Sequence, residues 1–383
     1  MGAAPAADHA PALRSREVSA HPVPTGREEE WRFTPLAPIG DLLSGDATLV
    51  GAVDVEAACD PGARIERVGM SDARVGRTFL PSDLASARAM ASSAEALIVT
   101  LPREWQGTAR VSVRARGEDA AGHLVIEPEP FSDGTVVVDF SGAGRYFGAM
   151  EIRVGDGARL TVVSLQDWSP SAVHVGEHHA SLGRDARLLM SHITLGGSLV
   201  RLAPKVSYLA PGGDAELLGL FFADAGQHME HRVFVDHDTP HCRSSVLYKG
   251  ALQGEGAHSV WIGDVLVRAQ AVGVDTYEVN RNLLLTDGAR ADSVPNLELE
   301  TGEIVGAGHA SATGRFDDEQ LFYLQSRGIP ADVARVLVVR GFFADVLQRI
   351  GQPDLTRRVM SGVDARLGAE AHLLSDMDEE ADR

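Results

Sequence analysis

Histidines form the patterns in this chain that are best suited to chemistry. His174 and His178 fit H-x-x-E-H, which zinc peptidases use when both imidazoles lie on one face of a helix. Gly176 lies between them and the flanking residues alternate as in a strand, so peptidase chemistry is disfavoured. His228 and His231 form a second group. Together the four histidines leave open a cupin-like, double-barrel metalloenzyme, although solvated or turn histidines explain them more simply.

Cysteines and lysines exclude other chemistries. Cys59 and Cys242 lie far apart and no C-x-x-C occurs, which excludes a disulfide framework and an iron–sulfur site built from four thiolates of this chain. Cys242 follows His241, but neighbours on a strand point to opposite faces, so a buried thiol is favoured over a nucleophile–base pair. Neither Lys205 nor Lys249 lies in a Walker A pattern, so the chain is not a P-loop ATPase by itself.

His309 is the most distinctive single residue. It follows the small residues 306–308, which leave its imidazole uncrowded, and it lies where a strand pattern gives way to a helical one. An imidazole there could face a partner chain and bind a soft or borderline metal. The other interpretation is that it hydrogen-bonds a nearby carbonyl.

Composition limits the classes of protein that fit. The 383 residues carry 35 basic and 54 acidic side chains, and a net charge of −19 disfavours binding to nucleic acid or to an acidic membrane. No run approaches the ~18 apolar residues of a membrane span. Forty glycines with 5% aromatic residues indicate many turns and a β-rich fold. Residues 1–26 lack a signal-peptide pattern and are expected to be a disordered leader of a cytoplasmic protein.

A degenerate repeat in the middle of the chain predicts how these residues are positioned. A turn followed by an aliphatic strand recurs, and its alanine falls at positions 158, 186, 215, 257 and 289. Such a unit buries its faces only when copies stack, which favours a parallel β-helix, although a β-sandwich or double barrel with recurring hairpins remains open. Strands are also expected at 97–101 and 109–114, and a helix over 82–96 with Ser82 as its N-cap.

The C-terminal part has helical periodicity. Asp317 is a candidate N-cap, and Gly328 and Pro330 are stop signals. The apolar residues between 339 and 350 fall on one helical face that Gly351 and Pro353 end. A further stripe spans 355–367, and residues 375–383 form an acidic tail. Two or three helices are therefore expected after the β region.

Several blocks of the chain carry a family resemblance. Residues 309–329 (HASATGRFDDEQLFYLQSRGI), 248–250 (YKG), 281–285 (RNLLL) and 30–34 (EWRFT) resemble the SufB/SufD family of iron–sulfur cluster assembly proteins. Asn280 stands where SufB carries a cysteine, so the chain is more similar to the SufD branch. The resemblance implies a mainly β fold with a right-handed parallel β-helix core. It divides the chain into a leader (1–26), a mixed N-terminal region (27–95), the core (96–310) and C-terminal helices (311–383).

The resemblance also implies a function, that of a non-catalytic scaffold. The implied partners are SufB, in a heterodimer or replaced by a second copy when this chain is alone, and two copies of the ATPase SufC. His309 matches the histidine that faces a SufB cysteine, where a transient iron–sulfur cluster forms, so no permanent cofactor is implied and ATP acts only through SufC. Ala307 stands where many relatives have cysteine. The helix residues expected to dock SufC, or else to pack within the chain, are Phe342, Phe343, Val346 and Leu347. A solenoid that pairs only with itself is a further alternative.

Overall fold

The fold is a parallel β-solenoid of about eight turns with a few helices toward the ends of the chain. The structure, a computed structural model, describes residues 14–316 and 318–368. The predicted β-helix is confirmed, and the sandwich and double-barrel alternatives are wrong. Of the earlier predictions, the Asp317 cap, residues 1–13 of the leader and the acidic tail lie outside the described residues. None of the described helices is long and apolar enough to cross a membrane.

The solenoid strands stack in two parallel columns. One column is β5-β7-β9-β11-β13-β15 and the other is β6-β8-β10-β12-β14-β16. The strands are β1 (Val53–Cys59), β2 (Arg64–Gly69), β3 (Glu95–Leu101), β4 (Gln106–Pro128), β5 (Asp133–Val154), β6 (Arg159–Trp168), β7 (Val173–Leu182), β8 (Arg187–Thr194), β9 (Leu199–Tyr208), β10 (Asp214–Ala223), β11 (His228–His237), β12 (Arg243–Leu252), β13 (His258–Val267), β14 (Asp275–Leu284), β15 (Arg290–Leu299) and β16 (Gly306–Arg315). The helices are α1 (Gly40–Ser44), α2 (Leu84–Ser92), α3 (Asp318–Ser326), α4 (Ala331–Ile350) and α5 (Pro353–Arg366).

The repeated alanines mark the inner side of successive turns. Ala158, Ala186, Ala215 and Ala257 are fully buried in the solenoid interior, and Ala289 packs against it. Ala158, Ala186 and Ala215 lie at the starts of β6, β8 and β10 in one column, and Ala257 and Ala289 lie just before β13 and β15 in the other, so within each column the inward-facing position repeats from turn to turn. The short repeat seen in the sequence is therefore the rung of the solenoid.

Strands that pack against the solenoid interior on one face and against helices on the other have continuous apolar sequences. In β10, Leu217 and Phe221 face the interior, whereas Leu218, Leu220 and Phe222 face outward and pack against α4 and α5. Burial of both faces explains why the run 217–222 does not alternate between apolar and polar residues.

Helices α4 and α5 cover the outer face of the even-numbered column. The predicted apolar face of α4 is confirmed, because Val339, Phe343 and Ile350 are buried against the sheet. Helix α4 ends at Gly351, whose φ of 66° is a conformation that glycine adopts without strain. Leu355 and other apolar side chains of α5 continue the same cluster.

The N-terminal region covers the outer face of the odd-numbered column. Trp31 packs there with α1 and α2, and the guanidinium of the fully buried Arg201 lies 4.0 Å from the centre of a Trp31 ring. Arg201 also contacts Asp83 at 3.3 Å and Glu230 at 3.5 Å, and the Thr34 hydroxyl donates a hydrogen bond to Glu230 at 2.8 Å. Residues 30–34 therefore anchor this layer to the solenoid.

The start of the chain differs from two expectations. The N-cap of α2 is Asp83, which accepts a hydrogen bond from the Ser86 backbone at 2.7 Å, because the hydroxyl of Ser82 donates instead to Glu177. The helix also ends at Ser92, before the expected residue 96, since β3 begins at Glu95. Within the expected leader, residues 14–26 include a 3₁₀ turn at Val18–Ala20 and a buried His21, so this part has defined contacts.

The two lysines of the chain each fasten one covering layer. Lys205 on β9 contacts the Ser82 hydroxyl and Glu177 on the N-terminal side. Lys249 on β12 donates to the backbone carbonyl of Phe342 at 2.8 Å and to Asp345 at 2.6 Å, which ties α4 to the sheet.

Close packing between neighbouring turns gives a test of the solenoid. Gly250 pairs in register with Phe221, and a Cβ added at Gly250 would lie 1.9 Å from the Phe221 ring. Gly250→Ala is therefore expected to lower the free energy of unfolding by about 1–3 kcal/mol, measured by denaturant titration. Gly314→Ala is the control, because its Cβ would have no described atom within 4 Å. Equal stability of the two variants would contradict the packing.

Candidate functional site

The first histidine group lies inside the solenoid. His174 and His178 point inward from β7, and both are buried. The Trp168 indole donates to Nδ1 of His174 at 3.1 Å, and Nδ1 of His178 lies 2.9 Å from Nε2 of His192. Burial lowers the pKa of His178 to about 3 and that of His174 well below its ordinary value, so both imidazoles are neutral. They act as hydrogen-bonded core residues.

The second group is split by the alternation of β11. His231 faces the interior and lies 3.1 Å from the Thr194 hydroxyl, whereas His228 faces the N-terminal layer and contacts Glu230 at 3.1 Å. The four histidines therefore do not converge, and the cupin-like enzyme is wrong because the chain is a solenoid. Among the described residues, no cluster of three or more His, Cys, Asp or Glu side chains could hold a metal ion.

The buried thiol predicted at Cys242 is confirmed. Cys242 is fully buried, and its sulfur lies 3.2 Å from the hydroxyl of Thr239. His241 precedes it in the turn with a φ of 59°, outside β12. Nothing in this arrangement activates the sulfur as a nucleophile.

His309 lies on β16, the last strand of its column. No described strand pairs with the outer side of β16, so the solenoid ends here with an open edge. His309 is in register with Glu278 on β14, and its side chain is 43% exposed. Its Nδ1 lies 4.0 Å from Oε1 of Glu278. The expected exposed imidazole is therefore at an end of the solenoid, available to another molecule.

Glu278 is a site residue that the sequence analysis missed. Its side chain is inaccessible to solvent, and neither carboxyl oxygen accepts a hydrogen bond from a described residue. Burial, with the nearby Asp264 as a smaller cause, raises its pKa to about 8, so the carboxyl is largely protonated at neutral pH. An acidic residue at an inward-facing position of a strand is unusual and could have indicated this site. The sequence does not show which positions of β14 face inward until the pairing of the strands is known.

The interior of the last turn contains several hydrogen-bonded polar side chains. Asn282 donates from its amide to Asn280 at 2.7 Å and to Ser293 at 3.1 Å, and Thr313 lies at 3.4 Å. Residues 309–315 of β16 are all exposed, although alternate ones continue the inward-facing positions of β14. The open end therefore exposes inward-facing positions that a further turn of the solenoid would cover.

The helix residues expected to dock a partner pack within the chain. Phe343, Val346 and Leu347 are buried against the outer face of the solenoid, and Phe342 is partly buried beside Lys249. Binding of another protein by α4 stays a prediction, but these side chains already have contacts. Helix α3 carries two exposed aromatic side chains, Phe322 at 71% and Tyr323 at 57%, and elsewhere Phe131 and Tyr277 are about half exposed.

Comparisons with known proteins agree with this architecture. A family model described as the SufBD core domain of SUF system FeS cluster assembly matches residues 111–342. An iron–sulfur cluster assembly SufBD family protein of Mycobacterium tuberculosis is 50% identical over 363 residues, covering 92% of this chain and 91% of the relative. A SufBD family protein of Mycobacterium leprae is 49% identical, covering 92% and 93%. The iron–sulfur cluster assembly protein SufD of Escherichia coli is 26% identical over 231 residues, covering 60% and 54%.

Fold and comparisons together define the class of protein. A parallel β-solenoid that matches the SUF core domain is an iron–sulfur cluster assembly component. The chain belongs to the SufBD family.

The packing of α3 and α4 gives a second prediction. Phe343→Ala is expected to lower the free energy of unfolding by about 3–5 kcal/mol, because it leaves a cavity between α4 and the solenoid. Phe322→Ala, the matched control, removes an exposed ring and is expected to change stability by less than ~0.5 kcal/mol. Denaturant unfolding of both variants measures this, and a small effect of Phe343→Ala would contradict the docking of α4 on the sheet.

Proposed function

We propose that this chain is a SufD-type, non-catalytic scaffold subunit for iron–sulfur cluster assembly in the cytoplasm. It pairs with SufB through the open end of its solenoid and binds the ATPase SufC through its C-terminal helices. The observation that carries the proposal is the half-exposed His309 on an unpaired edge strand. The similarity to the SufD of Escherichia coli supports the choice of branch.

The composition of β16 favours pairing with another strand. An unpaired edge exposes backbone N–H and C=O groups and is a template for strand addition. Proteins that avoid such pairing place proline or charged residues on the edge. From Gly306 to Gly314, β16 has neither proline nor a Lys, Arg, Asp or Glu side chain, and only Arg315 is charged. The edge is therefore suited to a partner rather than protected from one.

The ligands of this chain suit a temporary cargo. The described residues contain no group of three metal-binding side chains, so the chain offers His309 without a complete site around it. A cluster at this edge then takes its other ligands, above all thiolates, from SufB. Imidazole binds iron of a cluster less strongly than thiolate does, which favours later release.

The position of α3 supports a connection between the two binding regions. Strand β16 ends at Arg315 and α3 begins at Asp318, so the exposed aromatic rings of α3 follow the edge strand directly. Large exposed aromatic side chains often mark a protein interface. A force that SufC exerts on α3 would act within a few residues of the strand that carries His309.

The role of His309 is testable in the complex with SufB and SufC. His309→Ala is expected to lower the yield of assembled cluster on the order of tenfold, because a ligand is lost, whereas the complex still forms through the backbone of β16. Cluster absorbance after anaerobic reconstitution and size-exclusion chromatography measure the two effects. The control is His241→Asn, which removes an exposed imidazole from the turn before β12. Unchanged cluster yield in His309→Ala would refute the interface role.

The docking of SufC has its own test. Combined Phe322→Ala and Tyr323→Ala substitutions are expected to weaken SufC binding roughly tenfold or more, with an unchanged melting temperature, because both rings are exposed. Calorimetric titration of this chain with SufC measures the affinity. Val50→Ala removes an apolar side chain that is 82% exposed in the N-terminal region and is the control. Wild-type affinity in the double variant would exclude α3 from the SufC interface.

A further inference from the structure

The carboxyl group of Glu278 lacks the partners that a buried acid needs. Its side chain is inaccessible to solvent, and no described residue donates a hydrogen bond to either oxygen. Buried polar groups are almost always hydrogen-bonded, and a buried carboxylate is costly unless a cation or a donor compensates it. The nearest basic group is Nδ1 of His309, at 4.0 Å from Oε1. The site is therefore incomplete in the isolated chain.

The surrounding sequence makes room for this carboxyl. Gly263 on β13 faces it across the solenoid, and a Cβ added there would lie 2.4 Å from Oε2 of Glu278 and 2.3 Å from the Trp261 ring. The carboxyl group lies between Trp261, Gly263 and His309. An apolar side chain at this position would stabilise the core more than a buried acid does. A purely structural role does not explain why an acid occupies this position.

We propose that Glu278 is a second metal-binding residue of this chain, and that its carboxylate and the imidazole of His309 together hold one ferrous ion during cluster assembly. This inference rests on the proposed function, because it places the ion at the same open end. The ion displaces the proton of the buried carboxyl group, which is released to solvent on binding. First-row divalent metals bind imidazole nitrogen and carboxylate oxygen at about 2.0–2.2 Å each, so two adjacent ligands of one ion lie about 3.0–3.4 Å apart. Nδ1 and Oε1 are 4.0 Å apart, and a small rotation of the half-exposed imidazole toward the carboxyl group would bring both donors within reach of one ion.

The donor set indicates the class of cargo. Imidazole and carboxylate are common ligands of ferrous iron. A site that bound persulfide or sulfide directly would instead need a soft metal or a cationic side chain. Two donors leave most coordination positions free for the thiolates of the partner and for incoming sulfide. Binding by the isolated chain is expected to be weak and to strengthen when the partner covers the edge.

Cobalt titration of the full-length chain tests the inference. Co²⁺ is a spectroscopic substitute for ferrous iron, and its visible absorption reports nitrogen and oxygen ligands. The wild type is expected to bind one Co²⁺, and Glu278→Gln and His309→Ala are each expected to weaken this binding by about 10- to 100-fold. The control is Glu303→Gln, which removes an exposed carboxylate near the same end and should bind like the wild type. Wild-type affinity in Glu278→Gln would overturn the proposal.

Thermal unfolding separates metal binding from a structural role. Without metal, Glu278→Gln should melt near the wild-type temperature, because an amide of almost the same shape replaces a carboxyl group that has no hydrogen-bond partner among the described residues. With Co²⁺, the wild type should gain stability and the variant should not. A lower melting temperature without metal, together with an unchanged Co²⁺ shift, would establish a structural role instead. Glu278→Leu, which removes both oxygens, is measured in parallel in case the glutamine variant does not fold.

Cluster assembly with SufB and SufC distinguishes this inference from the function on which it rests. If His309→Ala lowers the cluster yield while Glu278→Gln keeps full Co²⁺ affinity, only the role of Glu278 is refuted. If both residues are needed for Co²⁺ binding but His309→Ala leaves the yield unchanged, the metal site stands and the interface function fails.

Discussion

Parallel strand pairing along the solenoid axis is the constraint on which the structure depends. Each turn uses the backbone groups and inward side chains of its neighbours, in register, from β5 and β6 to β15 and β16. Within the described chain, the last turn has a neighbouring turn on one side only. The outer backbone N–H and C=O groups of β16 therefore have no partner strand, and its inward-facing positions are exposed. Pairing with SufB and iron binding by His309 and Glu278 are both proposals about what completes this turn.

The covering layers leave few other places for function. The N-terminal region occupies one broad face through Trp31 and Arg201, and α4 and α5 occupy the other through Phe343 and its neighbours. These layers bury the apolar outer surfaces of the solenoid, which a partner would otherwise have to cover. Both the open edge and the outer side of the helices remain accessible. Because α3 follows β16 directly, the two accessible regions adjoin in sequence.

The sequence predicted whatever depends on local repetition and left out whatever depends on register between distant strands. The alanine repeat predicted the rungs, and the helical stripe predicted the buried face of α4, since both follow from the period of one segment. The histidine patterns gave a false alternative, because His174 and His178 are buried inside the solenoid, where Trp168 and His192 are their hydrogen-bond partners. Glu278 was missed because its neighbour His309 lies 31 positions later and meets it only through the pairing of β14 with β16.

The placement of the two lysines has a practical consequence. Lys249 is almost fully buried and Lys205 is three-quarters covered, since both fasten covering layers, and the sequence contains no other lysine. Amine-reactive cross-linkers would therefore find hardly any lysine attachment points on this chain. Mapping its neighbours by mass spectrometry calls for reagents that couple carboxyl groups, which the acidic surface supplies in excess.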